Sequence, residues 1–484
     1  MKTRLGLAAF LMLSACNLAP TYHRPIQPVQ NTYPKDADAG DTPADKKVAN
    51  LGWEDFFTDP RLKALIGLAL KNNRDLAAQA AAITVARGQY QAQNASLFPM
   101  ISTGGQGLFY GPSSTAGFSF APGVGESIGT LRLFQTSIGF SSYEVDLWGR
   151  IRNLTRQQAE GVLSSLENAR NVLLTTVSQV AETYIQWLAD RAQLAITEDT
   201  LKSQRDTLRL TQLSYDNGET DALTLAQVKT QVEEAEAYKA QYTRAIADDE
   251  HALQLVIGTP IPDDLPPPAP FGTQTMIADL PAGLPSDLLE QRPDIRAAEH
   301  TLVGANANIG AARAAFFPKV TLTASEGTSS LQFRHLFTPG AETWEVSPNI
   351  TIPIFTWGQN EGNLRISKGQ KLQYAAQYEK TVQTAFREVS DALTARQTYK
   401  AEDLHLHSLV DQSQKAYDLA MMRYRAGIDS YLTTLEQQRT LYQAQLNSVT
   451  IQAARFENLV TLYRALGGGW SRTTVSPKVK PATH

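Results

Sequence analysis

One cysteine in 484 residues excludes an intrachain disulfide and any cysteine-rich metal site. Long apolar runs are as scarce. Only positions 5–13 approach one, so no helix of about 20 apolar residues is available to cross a bilayer. Excess positive charge is missing too. The 44 Lys and Arg stand against 48 Asp and Glu, a net charge of −4, which argues against a nucleic-acid partner. There is no G-x-x-x-x-G-K-[ST] phosphate loop and no G-x-S-x-G elbow. His405 and His407 lie two apart, face different sides of a helix and make a poor metal pair. Gly123–Gly129 misses the dinucleotide fingerprint by one position. Neither enzyme chemistry nor a metal nor a dissociable cofactor is expected.

Proline is absent from two long stretches. None of the 24 falls between Pro122 and Pro260, or between Pro353 and Pro477. A proline inside a helix costs about 3 kcal/mol, so these stretches read as long helices.

The N-terminus is informative. Lys2 and Arg4 precede an apolar stretch, Leu5–Leu13, of signal-peptide length. Leu13-Ser14-Ala15-Cys16 then matches a bacterial lipobox, with cleavage before Cys16 and lipid on its sulfur. Two or more acyl chains anchor a protein stably where one would not. The resemblance to Gram-negative lipoproteins implies that Asp at the next position would retain the protein in the inner membrane, so Asn17 leans towards the outer membrane. Residues 1–15 are therefore read as the signal peptide and 16–60 as a lipidated tether.

The chain is written twice. Asp75-Leu76 matches Asp294-Ile295, and Phe98-Pro99 matches Phe317-Pro318, at one offset. Trp148-Gly149, Tyr215, Gly218, Leu223 and Gly258 match Trp357-Gly358, Tyr424, Gly427, Leu432 and Gly467 at another. The repeats are placed at 61–259 and 285–468, with a Pro-rich connector at 260–284 and a tail at 469–484.

Each repeat carries the same signals in the same order. A helix comes first, at 61–97 and at 286–316. Two strands follow, at about 99–110 and 131–147, then at about 319–327 and 344–354. In the last strand, Trp344, Val346, Pro348, Ile350 and Ile352 alternate with Glu345, Ser347, Asn349 and Thr351, a period of two. In 131–147 the alternation slips near Ser141-Ser142. Such strands fit a soluble sheet or a transmembrane barrel. Asn217-Gly218 and Ala426-Gly427 then split the proline-free stretches, giving helices near 150–216, 221–257, 358–425 and 430–466. A helix of about 67 residues is roughly 100 Å long, which suggests coiled-coil hairpins. Four strands cannot close a barrel in lipid. Two chains give eight strands and three give twelve, and the count alone does not choose.

The segments Ser142–Arg150 (SYEVDLWGR), Gln291–Glu299 (QRPDIRAAE), Ala305–Pro318 (ANANIGAARAAFFP) and Arg423–Gly427 (RYRAG) resemble the TolC-like outer membrane efflux proteins, most closely their lipoprotein (NodT- or OprM-like) branch. The resemblance implies a mainly α chain with a transmembrane β-barrel. It implies a homotrimer with a twelve-stranded barrel set in outer membrane lipid and a helical periplasmic tunnel. It also implies a passive exit duct for small toxic compounds. A periplasmic adaptor and an inner-membrane transporter, of the proton-driven RND type, would be its partners. Carrying over the family's periplasmic gate places Leu432, Glu436 and Arg439 at the constriction. A further acidic position of some relatives falls on Thr433. Asn217, Gly218, Ala426 and Gly427 become the adaptor-facing tips. Without the resemblance, Glu436 and Arg439 read as solvated helix charges. A duct for secreted proteins and a non-conducting envelope lipoprotein are the competing functions.

Overall fold

The structure is a computed structural model, and it describes residues 17–26, 28–30, 48, 51–111, 131–273, 276, 280 and 288–473. Cys16, the signal peptide, the loop 112–130, most of the connector beyond 273 and the tail from 474 lie outside the described residues. The chain divides into two compact units.

The first unit takes in Met1–Pro25, Thr84–Ser164 and Glu299–Gln377. Its sheet holds β1 (Ser102–Tyr110), β2 (Leu131–Val145), β3 (Lys319–Ser330) and β4 (Glu342–Thr351), antiparallel throughout and in sequence order. Opposite residues share a face of an antiparallel sheet. The pairs Phe140↔Ala324, Tyr143↔Leu322 and Val145↔Val320 therefore lie on the face that also holds Ala324↔Val346, Leu322↔Pro348 and Val320↔Ile350. The other face carries Glu144↔Thr321, Ser325↔Glu345, Thr323↔Ser347 and Thr321↔Asn349. From Val320 to Ser325 one face is apolar and the other polar, whereas further along the strands Arg132, Glu326 and Glu342 join the first face and the pairs Leu108↔Leu133 and Tyr110↔Leu131 the second. The phase slip at Ser141-Ser142 is a β-bulge, because pairing is shifted between Phe140 and Tyr143. Ser142 sits at φ 55°, and its N–H donates to Thr323 Oγ1 at 3.1 Å. Phe140 and Tyr143 are an odd number apart, so without the bulge they would face opposite ways.

Residues 17–25 form no regular element, yet they are pinned along α7 (Pro293–Ala314) and by Asn153 of the helix Arg150–Asp216. Asn153 Nδ2 donates to Asn17 Oδ1 at 2.9 Å, Arg313 Nη1 to the Leu18 carbonyl at 3.0 Å, and Asn306 Nδ2 to the Pro20 carbonyl at 2.7 Å. Arg24 grips Glu299 bidentately at 2.8 and 2.7 Å.

The second unit takes in Ile26–Ile83, Ser165–Ala298 and Tyr378–His484. It holds α1 (Trp53–Phe56), α2 (Pro60–Asn72), α5 (Ala222–Ile257), α6 (Leu288–Gln291) and α9 (Tyr431–Ala465). Most of the 67-residue helices α4 (Arg150–Asp216) and α8 (Gln359–Arg425) belong to it. Helix α3 (Arg74–Ala95) crosses from one unit's span to the other's. The core gathers Phe56, Phe57, Leu65, Ile66, Tyr184, Ile257 and Tyr463, each at most 1% exposed. Burying one such side chain is worth about 1.5–3 kcal/mol. Asp59 caps α2 by accepting from the Arg61 and Leu62 N–H groups at 2.7 and 3.2 Å, and Pro60 fills its first turn.

The helices expected over 61–97 and 286–316 are each interrupted. The first breaks at Asn73 and the second at Arg292. Pro293 disfavours a helical Arg292. At both breaks the side chain turns to the end of another helix. Asn73 Nδ2 donates to the Val256 carbonyl at 2.7 Å, and Arg292 Nη1 to the Ala465 carbonyl at 3.1 Å. Those carbonyls are orphans of the last turns of α5 and α9.

Candidate functional site

Two helix turns of the second unit carry the residues expected at the tips, Asn217, Gly218, Ala426 and Gly427. In the first, Asn217 N–H donates to Leu213 O, Gly218 N–H to Tyr215 O and Glu219 N–H to Ser214 O, at 3.1, 3.0 and 2.8 Å. In the second, the N–H groups of Ala426, Gly427 and Ile428 donate to the Met422, Tyr424 and Arg423 carbonyls, at 3.0, 2.9 and 2.9 Å. Both are Schellman-type ends, and they need the left-handed φ that Gly218 (75°) and Gly427 (69°) supply. After the first turn, Asp221 accepts from the Thr224 N–H at 2.7 Å and caps α5. Those bonds to Thr224 hold its carboxyl below the ordinary range. The second turn is braced differently. Arg423 reaches across it to Asp429 at 2.6 and 3.0 Å, and the pair lowers the Asp429 carboxyl. Apolar side chains stay exposed beside both turns: Leu213, Tyr215 and Leu223 at the first, Met422, Ile428 and Leu432 at the second.

Leu432, Glu436 and Arg439 follow at the start of α9. Their spacing of four and three puts them on one face, and all three are exposed, Leu432 by 48%. The opposite face is buried. Tyr431, Thr434, Leu435 and Gln438 are each at most 7% exposed. Tyr431 and Leu435 pack with Val228 of α5, against Leu208 of α4 and Tyr424 of α8. The Tyr424 and Tyr431 rings meet edge to face at 5.3 Å. Burial first, then the neighbouring Tyr417 and Tyr424, push the Tyr431 hydroxyl far above its ordinary value. The start of α9 is thus clamped on one side and free on the other.

Arg439 is not alone. Its Nη2 lies 3.6 Å from Glu234 Oε1 on α5, beside a cleft of about 520 Å³ that also touches Gln204, Gln231 and Gln438. Sequence reasoning missed Glu234, because a contact over 205 positions leaves no trace in local spacing. It also missed the Arg423–Asp429 brace, although a base and an acid flanking a Gly turn were there to be read. Glu436 makes no ion pair among the described residues. Among those residues no cluster of three or more His, Cys, Asp or Glu could hold a metal, and no helix is long and apolar enough to cross a membrane.

Known proteins fall in line with this geometry. A family model described as "Outer membrane efflux protein" matches residues 65–259 and 284–468. The "Probable efflux pump outer membrane protein TtgC" of Pseudomonas putida is 43% identical over 471 residues, covering 97% of this chain and 96% of the relative. The open state of the Neisseria gonorrhoeae MtrE outer membrane channel superposes with a TM-score of 0.85 at 34% identity, covering 95% of this chain and 100% of the other. A membrane protein from Pseudomonas aeruginosa superposes at 0.87, with 35% identity over 94% of this chain and 98% of that one.

Proposed function

This chain belongs to the outer membrane efflux protein family, and from that premise we propose that it is the passive outer membrane exit duct of a tripartite pump for small toxic compounds. The observation that carries the reading is the sheet. Its apolar face leaves Phe109, Ile138, Trp344, Val346 and Ile350 from 57 to 80% exposed, while the opposite face is polar along Thr321–Ser325 and carries Leu108, Tyr110 and Leu131 only at the far end of β1 and β2. That suits lipid on one side and a wet lumen on the other. The edges β1 and β4 have no partner strand among the described residues. In hydrocarbon each unpaired backbone group costs several kcal/mol, so β4 of one copy takes β1 of the next. Eight strands would close around packed side chains, and twelve from three copies leave a passage.

The rest of the reading follows from that ring. The chain is a tandem of two repeats. Equivalent glycines, Gly218 and Gly427 or Gly258 and Gly467, share positive φ, and Asn73 and Arg292 make equivalent bonds. Leu432, Glu436 and Arg439 form the periplasmic constriction, with Leu432 as an apolar ring and Glu436 as an acidic one that favours cations. Asn217, Gly218, Ala426 and Gly427 are the adaptor-facing tips, where exposed apolar side chains await a partner. Cys16 carries the lipid. Energy comes from an inner-membrane transporter, of RND type. Planar-bilayer recording of the purified protein tests the duct. Low conductance that rises on Glu436 or Arg439 substitution is expected. No conductance in any variant, or a deletion strain that loses a secreted protein while its susceptibility to toxic compounds is unchanged, would overturn it.

A further inference from the structure

A second cavity lies within the second unit, where α2, α4 and α5 meet the start of the connector. It measures about 340 Å³ and is lined by Arg61 of α2, Trp187 of α4, Glu250 and Leu253 of α5, and Ile261 and Asp263 beyond it, among others. Its wall is fixed. Trp187 is only 6% exposed, and its indole N–H donates to Glu250 Oε1 at 3.1 Å. The Tyr184 ring stacks on it with centroids 5.8 Å apart, and the Tyr184 hydroxyl donates to Asp59 Oδ2 at 3.1 Å. The Arg61 and Arg191 guanidinium groups both lie over the Trp187 ring, 5.6 and 4.6 Å from its centroid. Arg61 is tied down further, since its Nη1 donates to the Pro266 carbonyl at 2.9 Å.

Two opposite charges share this space without meeting. Arg61 and Glu250 both line it, yet neither makes an ion pair among the described residues. Each has capacity left. Arg61 Nη2 and Glu250 Oε2 have no hydrogen-bond partner among those residues, and neither atom is enclosed. Asp263 adds a second carboxylate and is exposed, so the cavity meets solvent beside it. A ligand that is only an anion would bring its charge to Glu250 and Asp263, and one that is only a cation would bring its charge to Arg61. A small ligand carrying both charges suits both ends. We propose that the cavity binds an α-amino-acid zwitterion, an ammonium and a carboxylate on one carbon. The carboxylate accepts from Arg61 Nη2, the ammonium donates to Glu250 Oε2, and the side chain lies along Leu253 and Ile261. Both bonds are charge-assisted, the stronger kind. The volume sits at the low end of the roughly 300–1,000 Å³ of ligand pockets, which suits a single amino acid. Two sources carry this chemistry: a free amino acid, and the unlinked end of a diamino acid in a cell-wall peptide.

The site is independent of the duct reading. The test uses the purified full chain in detergent, with alanine, alaninamide and N-acetylalanine as probes and binding read by ligand-observed NMR. Alaninamide lacks the carboxylate, and N-acetylalanine lacks the ammonium. Alanine is expected to bind at least about tenfold more tightly than either, the order of one lost bond to a charged group. Glu250→Gln keeps an acceptor for the Trp187 N–H and removes the charge. It should weaken alanine and alaninamide about tenfold and leave N-acetylalanine unchanged. Arg61→Gln should weaken alanine and N-acetylalanine and leave alaninamide unchanged. A merely structural role for either residue would weaken all three probes alike. If Arg61→Gln does not fold, Glu250→Gln carries the test alone. Equal binding of the three probes, no binding of alanine, or an equal loss for all three in the variants overturns the site. A tripeptide ending in diaminopimelate then separates the sources. Tighter binding than alanine, lost when the diaminopimelate amine alone is acetylated, assigns a cell-wall peptide, and weaker binding assigns a free amino acid. A chain that conducts without binding alanine loses only this site, and one that binds alanine without conducting loses only the duct.

Discussion

Arg292 does for α9 what Asn73 does for α5: each donates a side-chain hydrogen bond to a carbonyl in the last turn of a hairpin helix, Ala465 in one case and Val256 in the other. The two are not equal in weight. Arg292 also pairs with Asp294 at 2.7 Å and Glu388 at 2.8 Å, and its side chain is only 9% exposed. Arg292→Ala leaves two carboxylates without their shared cation, and a loss of about 3 kcal/mol is expected. Asn73→Ala removes a neutral bond and the cap on the Leu76 N–H, with a loss of about 1–2 kcal/mol. Chemical denaturation of both variants checks the order, and equal losses would show that the ion pairs contribute nothing.

Gly427 and Gly467 offer a cleaner comparison. Both sit at positive φ, 69° and 79°. An alanine methyl at Gly427 would meet nothing within 4 Å, whereas at Gly467 it would lie 3.0 Å from the Gln291 carbonyl oxygen. Gly427→Ala should therefore cost only the left-handed backbone term, about 1 kcal/mol. Gly467→Ala should cost more, because the break at Gln291–Arg292 must move. Thermal unfolding of the two variants reads the difference directly.

These positions also mark what was legible in sequence. The ends of the hairpins were, because Asn217-Gly218 and Ala426-Gly427 combine a turn residue with the one residue free to adopt positive φ. The bulge was, because a period of two exposes any odd step. The break at Asn73 was not. Nothing in Asn72-Asn73-Arg74 forbids a helix, and the cause is a carbonyl at Val256. Arg292 precedes a proline and could have been read as a break. Glu234 facing Arg439 is a product of packing between hairpins, and only coordinates supply it.

The Arg439–Glu234 pair is long, at 3.6 Å, and exposed, at 61% and 35%. Pairs of this kind are worth about 0–1 kcal/mol. If it holds the start of α9 against α5, Glu234→Gln should raise open probability by no more than about fivefold, since 1.4 kcal/mol is tenfold. Single-channel recording at low and high salt checks this. A larger effect, or one indifferent to salt, would assign the hold to the buried Tyr431–Leu435 contacts instead.

Near neutral pH, Glu457 should govern stability. Burial first, and the Glu182 carboxylate second, push its carboxyl up to about 7 from an ordinary 4.5, while Arg464 faces Glu182. Between those values the folded chain keeps a proton that the unfolded chain has released. Stability is thus fullest below 4.5 and declines as pH rises through 7. Asp249 adds to the same slope, raised to about 7 by burial first and then by Asp190. Glu457→Gln should flatten the decline without abolishing it. Denaturation midpoints across this range decide the matter, and an unchanged slope would release Glu457 from the role.

Strand β2, around the bulge at Ser142, supplies the sharpest test of the sheet's two faces. Phe140 and Tyr143 share the apolar face only because two residues separate them where one separates their partners, Ala324 and Leu322. Deleting Ser142 restores a plain period of two and leaves Phe140, Tyr143 and Val145 on the apolar face and Glu144 on the other. The deletion is therefore expected to preserve insertion into lipid vesicles, as is Ser142→Gly, which keeps the residue count and eases a φ of 55°. Ile138 lies on the apolar face and is 57% exposed. Ile138→Arg puts a cation there, and a cation on the lipid face of a barrel strand costs up to about 2–4 kcal/mol at mid-bilayer and less near the interface. Ile138→Arg is expected to abolish insertion, and Ser137→Arg, on the opposite face, to preserve it. Equal insertion of the two arginine variants would mean that the two faces of this sheet are not sorted between lipid and water.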